Sequence, residues 1–192
     1  MRLPVTTHTD RPWRIHELTP DFAVEDVWAL PTPGGPGELP RLLSAVTIGQ
    51  FSEGAPFVAR TLWAARWKLG ALLGWDGPDH GLGARVSSLK DRLPSDLTGA
   101  PAAADGDLFN PLYQLPDEWA AELANRTVHT VMHLGWVPDG SGGYRGEMTV
   151  LVRPNGRAGA AYMALIKPFR YLWVYPALLR FIGSRWRDGG TP

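Results

Sequence analysis

The stretch YRGEMTVLVRPNGRAGAAYMALIKPFRYLWVYPALLRFIGSRW, Tyr144 to Trp186, decides how this chain is read. Its first part, Tyr144 to Arg153, alternates: Met148, Val150 and Val152 fall on one face, Arg145, Glu147, Thr149 and Arg153 on the other, as a half-buried strand requires. The Pro154-Asn155-Gly156 triplet reads as a tight turn, and Ala158 to Ile166 is expected to be the next strand. The remainder carries Leu172, Tyr175, Leu179, Ile182 and Trp186 at spacings of three and four, an apolar seam along a terminal helix. Pro176 removes one backbone donor and is expected to kink or restart that helix. A hairpin feeding one long helix implies a sheet closed around the helix, with a cavity between them.

Working outward, Asn125 to Val137 is the clearest strand, with Val128, Thr130, Met132, Leu134 and Trp136 pointing one way and Thr127, His129, Val131 and His133 the other. Asp139 to Gly143 reads as a loose hairpin turn, so three antiparallel strands are expected in succession. Asp117 to Leu123 is ambiguous, since Ala and Glu favour helix while a preceding hairpin strand would suit the meander. Pro56 to Leu73 is expected to be a helix, with Val58, Leu62, Ala65, Leu69 and Leu72 on one stripe and Gly74 as its stop. Glu38 to Ile48 reads as a short helix and Ser88 to Leu93 as one helical turn. Trp13 to Trp28 reads as an extended first strand bent at Pro20. Pro31 to Gly37 and Asp76 to Gly83 are turn-rich, and residues 98–107 are expected to be an exposed, mobile connection. The expectation is one α+β domain, a curved antiparallel sheet wrapped around a long C-terminal helix with additional N-terminal helices, its core spanning about residues 13–187.

Composition narrows the function classes. The 192 residues, 44% hydrophobic and 20% charged, suffice for a core without staples. Zero cysteines exclude disulfides and thiolate metal sites and agree with a cytoplasmic setting. Met1 to Asp10 lacks the apolar run of a signal peptide, and Tyr162 to Gly183 is cut by Lys167, Arg170 and Arg180, well short of the roughly 20 apolar residues of a membrane span. Net charge is zero but uneven. From Tyr144 onward there are eight Lys/Arg against two Asp/Glu, +6, which leaves −6 for residues 1–143. Either the two parts neutralise each other within one fold, or the terminal helix meets an anionic ligand or a membrane surface. A neutral chain without a basic stripe does not point to nucleic acid.

No nucleophile elbow, phosphate loop or dinucleotide fingerprint is present, and no cofactor is implied. His129 and His133 would share a metal on a helix; on a strand, four residues hold them roughly 13 Å apart, so no metal site is expected. The catalytic candidates are His129 and His133 as acid–base groups with Glu122 or Glu147 as carboxylate partner, Asn125 lying close by in sequence. Their alternative reading is structural hydrogen bonding. Met132, Trp136, Met148 and Tyr162 are the candidate walls of an aromatic-lined cavity, with Trp75 a further candidate for its wall or mouth. Lys167 and Arg170, around Pro168-Phe169 at the strand–helix junction, are candidate anion contacts, or else pair with acids of the N-terminal part.

Asn125-Arg126-Thr127-Val128-His129, His133-Leu134-Gly135-Trp136-Val137, and the run Tyr162 to Arg170 ending in Ile166-Lys167-Pro168-Phe169-Arg170 resemble the DUF2867 family. The resemblance spans about Trp13 to Trp186; many relatives carry His where this chain has Arg170. That family has no known function and is similar to the START-like (helix-grip, SRPBCC) superfamily. The resemblance implies a curved sheet around a C-terminal helix that holds an apolar or aromatic ligand; some members of that superfamily are cyclases or aromatases, and many only bind or carry. The leading expectation is therefore a small-molecule binding protein. The alternatives are a cyclase- or hydratase-type enzyme using a cavity histidine, and a peripheral membrane or partner-binding module.

Overall fold

The computed structural model describes residues 1–46, 86–97, 109–125 and 127–189. The helix expected over Pro56 to Leu73, Trp75, the turn-rich stretch expected over Asp76 to Gly83 and the connection expected over 98–107 lie outside them. The frame is one antiparallel sheet of six strands: β1 (Arg2–Leu3), β2 (Ala23–Ala29), β3 (Asn110–Gln114), β4 (Glu118–Ala124), β5 (Val128–Pro138) and β6 (Tyr144–Pro154). Their spatial order is β1-β2-β6-β5-β4-β3. The β5–β6 hairpin is its spine, in unbroken register from Val128 opposite Pro154 to Pro138 opposite Tyr144. Its turn is built by Asp139, whose Oδ1 accepts from the Ser141 amide (2.8 Å) and hydroxyl (2.8 Å) and from the Gly143 amide (3.2 Å). Gly140 and Gly142 supply the positive φ this needs, 84° and 95°.

Residue type explains the departures from the sequence reading. Asp117 to Leu123 resolves as strand β4 because its Ala120, Ala121 and Ala124 bury against both layers, a tertiary demand that outweighs local helix propensity. Asn125 and Thr127 are not strand but the turn between β4 and β5: Asn125 Oδ1 accepts from the Thr127 amide (2.9 Å), the Thr127 hydroxyl (2.8 Å) and the Val128 amide (3.0 Å). The stretch from Trp13 is not one bent strand. A single turn, α2 (Ile15–Leu18), precedes β2, and Thr19 closes it by donating its hydroxyl to the Ile15 carbonyl (2.8 Å). Another short turn, α1 (Thr6–Thr9), follows β1, and α3 (Leu39–Val46) fulfils the short helix expected over Glu38 to Ile48, burying Leu39, Leu42, Ala45 and Val46. A 3-10 turn over Leu89–Arg92 is capped by Ser88 Oγ, which accepts from the Lys90 amide (3.1 Å).

The largest correction concerns Ala158 to Ile166, which is helix rather than strand. Gly156, at φ +78°, does not close a hairpin. It turns the chain out of β6 into α4 (Gly156–Phe169), whose Ala, Met and Leu content favours helix. The consecutive strands of the sheet are therefore β3 to β6, and the helical segments run from Gly156 to Arg187. Its start lies hard against the sheet: a Cβ on Gly159 would sit 2.0 Å from the Thr127 carbonyl oxygen, so no larger residue fits. A π segment, Arg170–Val174, joins α4 to α5 (Tyr175–Arg187). Pro176 accounts for it, because its ring would clash with the carbonyl four residues back, Leu172, and the wider turn relieves that contact.

The sheet has two differently built faces. Met132, Leu134 and Trp136 of β5 and Met148 of β6 pack with Trp28, α3 and Tyr175, Ile182 and Trp186 of α5. Val131, Val137 and Leu151 pack on the other side with Trp13, Ile15, Leu18, Leu89, Leu97, Leu112 and Tyr113. Among the described residues no helix is long and apolar enough to cross a membrane.

Candidate functional site

Two buried histidine–carboxylate pairs occupy the face away from the C-terminal helix. β4 and β5 run antiparallel with Glu118 opposite Gly135 and Glu122 opposite Val131, so each glutamate lies diagonally across from a histidine two residues along. The same diagonal is used twice. His129 Nε2 lies 2.8 Å from Glu122 Oε2, and His133 Nε2 lies 2.9 Å from Glu118 Oε2.

Each carboxylate is held from a second side. Glu122 accepts from the Leu89 amide (3.0 Å) and the Ser88 hydroxyl, so the 3-10 turn is tied to the sheet through it. Glu118 accepts from Tyr113 Oη (2.9 Å) and, on Oε1, from the Arg14 amide (3.0 Å). Burial pushes both carboxyls up. The bonds from His133 and the Arg14 amide at Glu118, and from His129 and the Leu89 amide at Glu122, outweigh it, and both end below the ordinary carboxylate range. An ionised carboxylate calls for a donor, which places a proton on Nε2 of each imidazole and leaves Nδ1 as the basic nitrogen. His129 Nδ1 is buried without a hydrogen-bond partner among the described residues. Burial lowers the His133 pKa against the opposing pull of Glu118. Above His133, the rings of His8 and Trp13 each stand 5.0 Å from it, centroid to centroid.

The pairing differs from expectation in one partner. Glu118, not Glu147, bonds His133. Glu147 lies on the same face, opposite Gly135 and diagonal to His133, yet it bonds neither histidine, and both its oxygens are buried without a hydrogen-bond partner among the described residues. Burial raises its pKa, with Arg11 and Arg145 opposing. Asn125 serves the β4–β5 turn instead. Among the described residues, no three His, Asp or Glu side chains are arranged to hold a metal ion.

On the helix side, Met132, Trp136 and Met148 are buried in the core beside Tyr175, Ile182 and Trp186. Trp136 donates Nε1–H to the Gly35 carbonyl (2.8 Å) and stacks 5.5 Å from Trp186. Tyr162 belongs to α4 rather than to a strand. Lys167 and Arg170 sit within the helix, not at a strand–helix junction, and both meet acids of β2. Lys167 Nζ is 3.1 Å from Glu25, and Arg170 Nη2 donates to Asp26 Oδ2 at 2.6 Å. Asp26, fully buried, also accepts from Tyr175 Oη (2.7 Å) and Tyr171 Oη, and Arg170 donates to Tyr175 Oη as well. The +6 and −6 parts of the chain thus meet in part through β2 and the helix. Burial and the Asp26 carboxylate raise the Tyr171 pKa to about 12.

The helix itself is unevenly covered. α5 buries Tyr175, Ala177, Ile182 and Trp186, whereas along α4 and the π segment Leu165 is 71% exposed, Leu172 64%, and Phe169 and Trp173 are also exposed. Phe169 and Trp173 lie 5.4 Å apart. A surface groove of about 560 Å³ runs along α5, lined by Pro31, Ala177, Leu179, Arg180 and Phe181 among others, and by no residue of either histidine pair.

These features define an α+β protein whose antiparallel sheet carries a terminal helix on one face and paired buried histidines and glutamates on the other. The chain belongs to DUF2867, described as a protein of unknown function, whose family model matches residues 18–177. No curated protein and no solved structure is significantly similar to it.

Proposed function

We propose that this chain, in a cytoplasmic setting, binds a small apolar or aromatic molecule on the exposed apolar stripe of its C-terminal helix rather than in the sheet–helix interior, where Met132, Trp136 and Met148 are packed. One observation carries the reading. The apolar side chains Leu165, Phe169, Leu172 and Trp173 stand exposed on the N-terminal half of a helix whose C-terminal half buries Tyr175, Ala177, Ile182 and Trp186. Exposed apolar side chains grouped on one element mark a contact surface, and an aromatic pair suits a flat ligand. Lys167 and Arg170 are engaged by Glu25 and Asp26, so the ligand's recognition rests on shape and apolar contact. Titration with 1-anilinonaphthalene-8-sulfonate is expected to saturate, and Leu172→Glu, which removes an apolar contact and brings a negative charge to this stripe, is expected to weaken it by about tenfold or more. Equal affinity in both proteins would remove the site from this helix.

The twofold Glu–His arrangement supports a second reading, an acid–base enzyme of cyclase or hydratase type with His133 as base and Glu118 as its orienting carboxylate. Nitrogen-15 shifts of His133 would test it. A base at work converts from neutral to protonated when ligand is present, and an imidazole unchanged by ligand would leave the pair a structural one.

A further inference from the structure

We propose that residues 4–14 form a pH-sensitive strap that covers the Glu118–His133 pair when His8 is neutral and is released when His8 is protonated. The strap precedes the family-matched region, which begins at residue 18. It is tied at both ends. Before it, β1 pairs with β2, the Met1 ammonium donates to the Ala29 carbonyl (3.0 Å), and the Met1 carbonyl accepts from the Ala29 amide (2.8 Å). After it, Ile15 and Leu18 are sunk in the core. Between these anchors the strap has one four-residue turn with no side-chain cap, too short to hold itself. Its seat on the sheet consists of His8, Trp13 and the Arg14 amide.

His8 is the weak point of that seat. It is fully buried, both ring nitrogens lack hydrogen-bond partners among the described residues, and its ring lies 4.9 Å from His16 and 5.0 Å from His133. The charged and titratable groups around it offer no compensation to an imidazolium. His16 from α2, His133 from β5 and Arg11 of the strap itself all repel it. Glu118 of β4 is committed to His133, Tyr113 and the Arg14 amide, and Asp117 acts on His133. Glu147 of β6, on the same sheet face with Arg145, is pushed toward its neutral form. Buried Thr149 Oγ and Trp13 Nε1 complete a polar patch without hydrogen-bond partners among the described residues, the pattern of a contact that is tolerated rather than optimised.

The direction follows from linkage. Burial, then His133, His16 and Arg11, lower His8 from 6.5 to about 2. The released strap therefore binds more protons than the seated one at any pH between those values, and the seat weakens as pH falls below 6.5. For His8 alone, opening becomes about 30-fold more favourable at pH 5 than at pH 8. Release uncovers the His133 ring while leaving the sheet intact.

Hydrogen exchange of the full chain, followed by mass spectrometry near pH 8 and pH 5 and corrected for intrinsic rates, tests this. The amides of Thr7 to Trp13, all but Pro12 bonded within the strap, are expected to lose protection by about 30-fold at the lower pH, while β5 and β6 keep theirs. In His8→Phe, which keeps an aromatic ring and removes the titration, the response is expected to shrink to about threefold or less. Unchanged strap protection, equal loss across strap and β5, or an undiminished response in His8→Phe would each overturn the proposal. Should His8→Phe not fold, the wild-type comparison of strap with β5 still decides.

Discussion

Asp26→Ala is expected to destabilise the protein by about 3–5 kcal/mol, the cost of leaving a buried charge without its counter-ion. Asp26 is wholly buried and receives Arg170, Tyr171 and Tyr175, three side chains of the terminal helix. Removing the carboxylate strands a guanidinium whose side chain is only 14% exposed, and frees two hydroxyl groups. Glu25 remains, but at 3.9 Å from Arg170 and partly exposed it is a poor substitute. Urea unfolding of the variant gives the magnitude. Asp26→Leu combined with Arg170→Met should recover most of the loss, because the cost comes from breaking the pair and not from lacking one. If the single variant loses less than about 1 kcal/mol, the cluster is not what fixes the helix to β2.

The second large effect belongs to Glu118. Glu118→Ala orphans Tyr113 Oη, His133 Nε2 and the Arg14 amide together, and at about 1–3 kcal/mol for each buried donor the expected loss is at least about 3 kcal/mol. Glu122→Ala should cost less, since Ser88, one of its three donors, reaches solvent more easily. The same carboxyls shape the acid limb of stability. Both are held below 4.5 in the fold, so their contribution is complete above that value and is lost as pH falls through the folded pKa. His8 and His133, held below 6.5, add a loss that begins at higher pH. Stability is therefore expected to decline from about pH 6.5 downward, in two stages, and the lower stage should be smaller in Glu118→Ala. A flat profile between pH 7 and pH 4 would contradict these assignments.

How much of this was legible in the sequence depends on which force placed each element. Strand alternation in β5 and β6 is dictated by burial on both sheet faces, so the opposed faces of Met132 and His133 could be read directly. The hairpin turn was marked by its glycines and Asp139, and the roughly 13 Å spacing of His129 and His133 followed from strand geometry alone. Ala158 to Ile166 reads as strand although it is helix, because a short run of small and apolar residues fits either period, and Asn155-Gly156 serves equally as a hairpin turn or a helix launch. Glu118 carries no signal in the sequence for a related reason. Its meaning depends on β4 being a strand, and only then does the four-residue spacing of Glu118 and Glu122 match that of His129 and His133. The pairing of Arg170 with Asp26 crosses 144 residues and left no local signal beyond the opposed charges of the two parts. His8 carried no pattern at all; its role arises only where the strap folds over the sheet.

Native mass spectrometry of gently purified protein tests most directly whether the exposed stripe of the C-terminal helix holds a small apolar molecule. A discrete adduct above the mass of the chain, lost on denaturation and absent from Leu172→Glu, is the predicted result. A bare chain from the wild type, even after incubation with apolar and aromatic compounds, would contradict it.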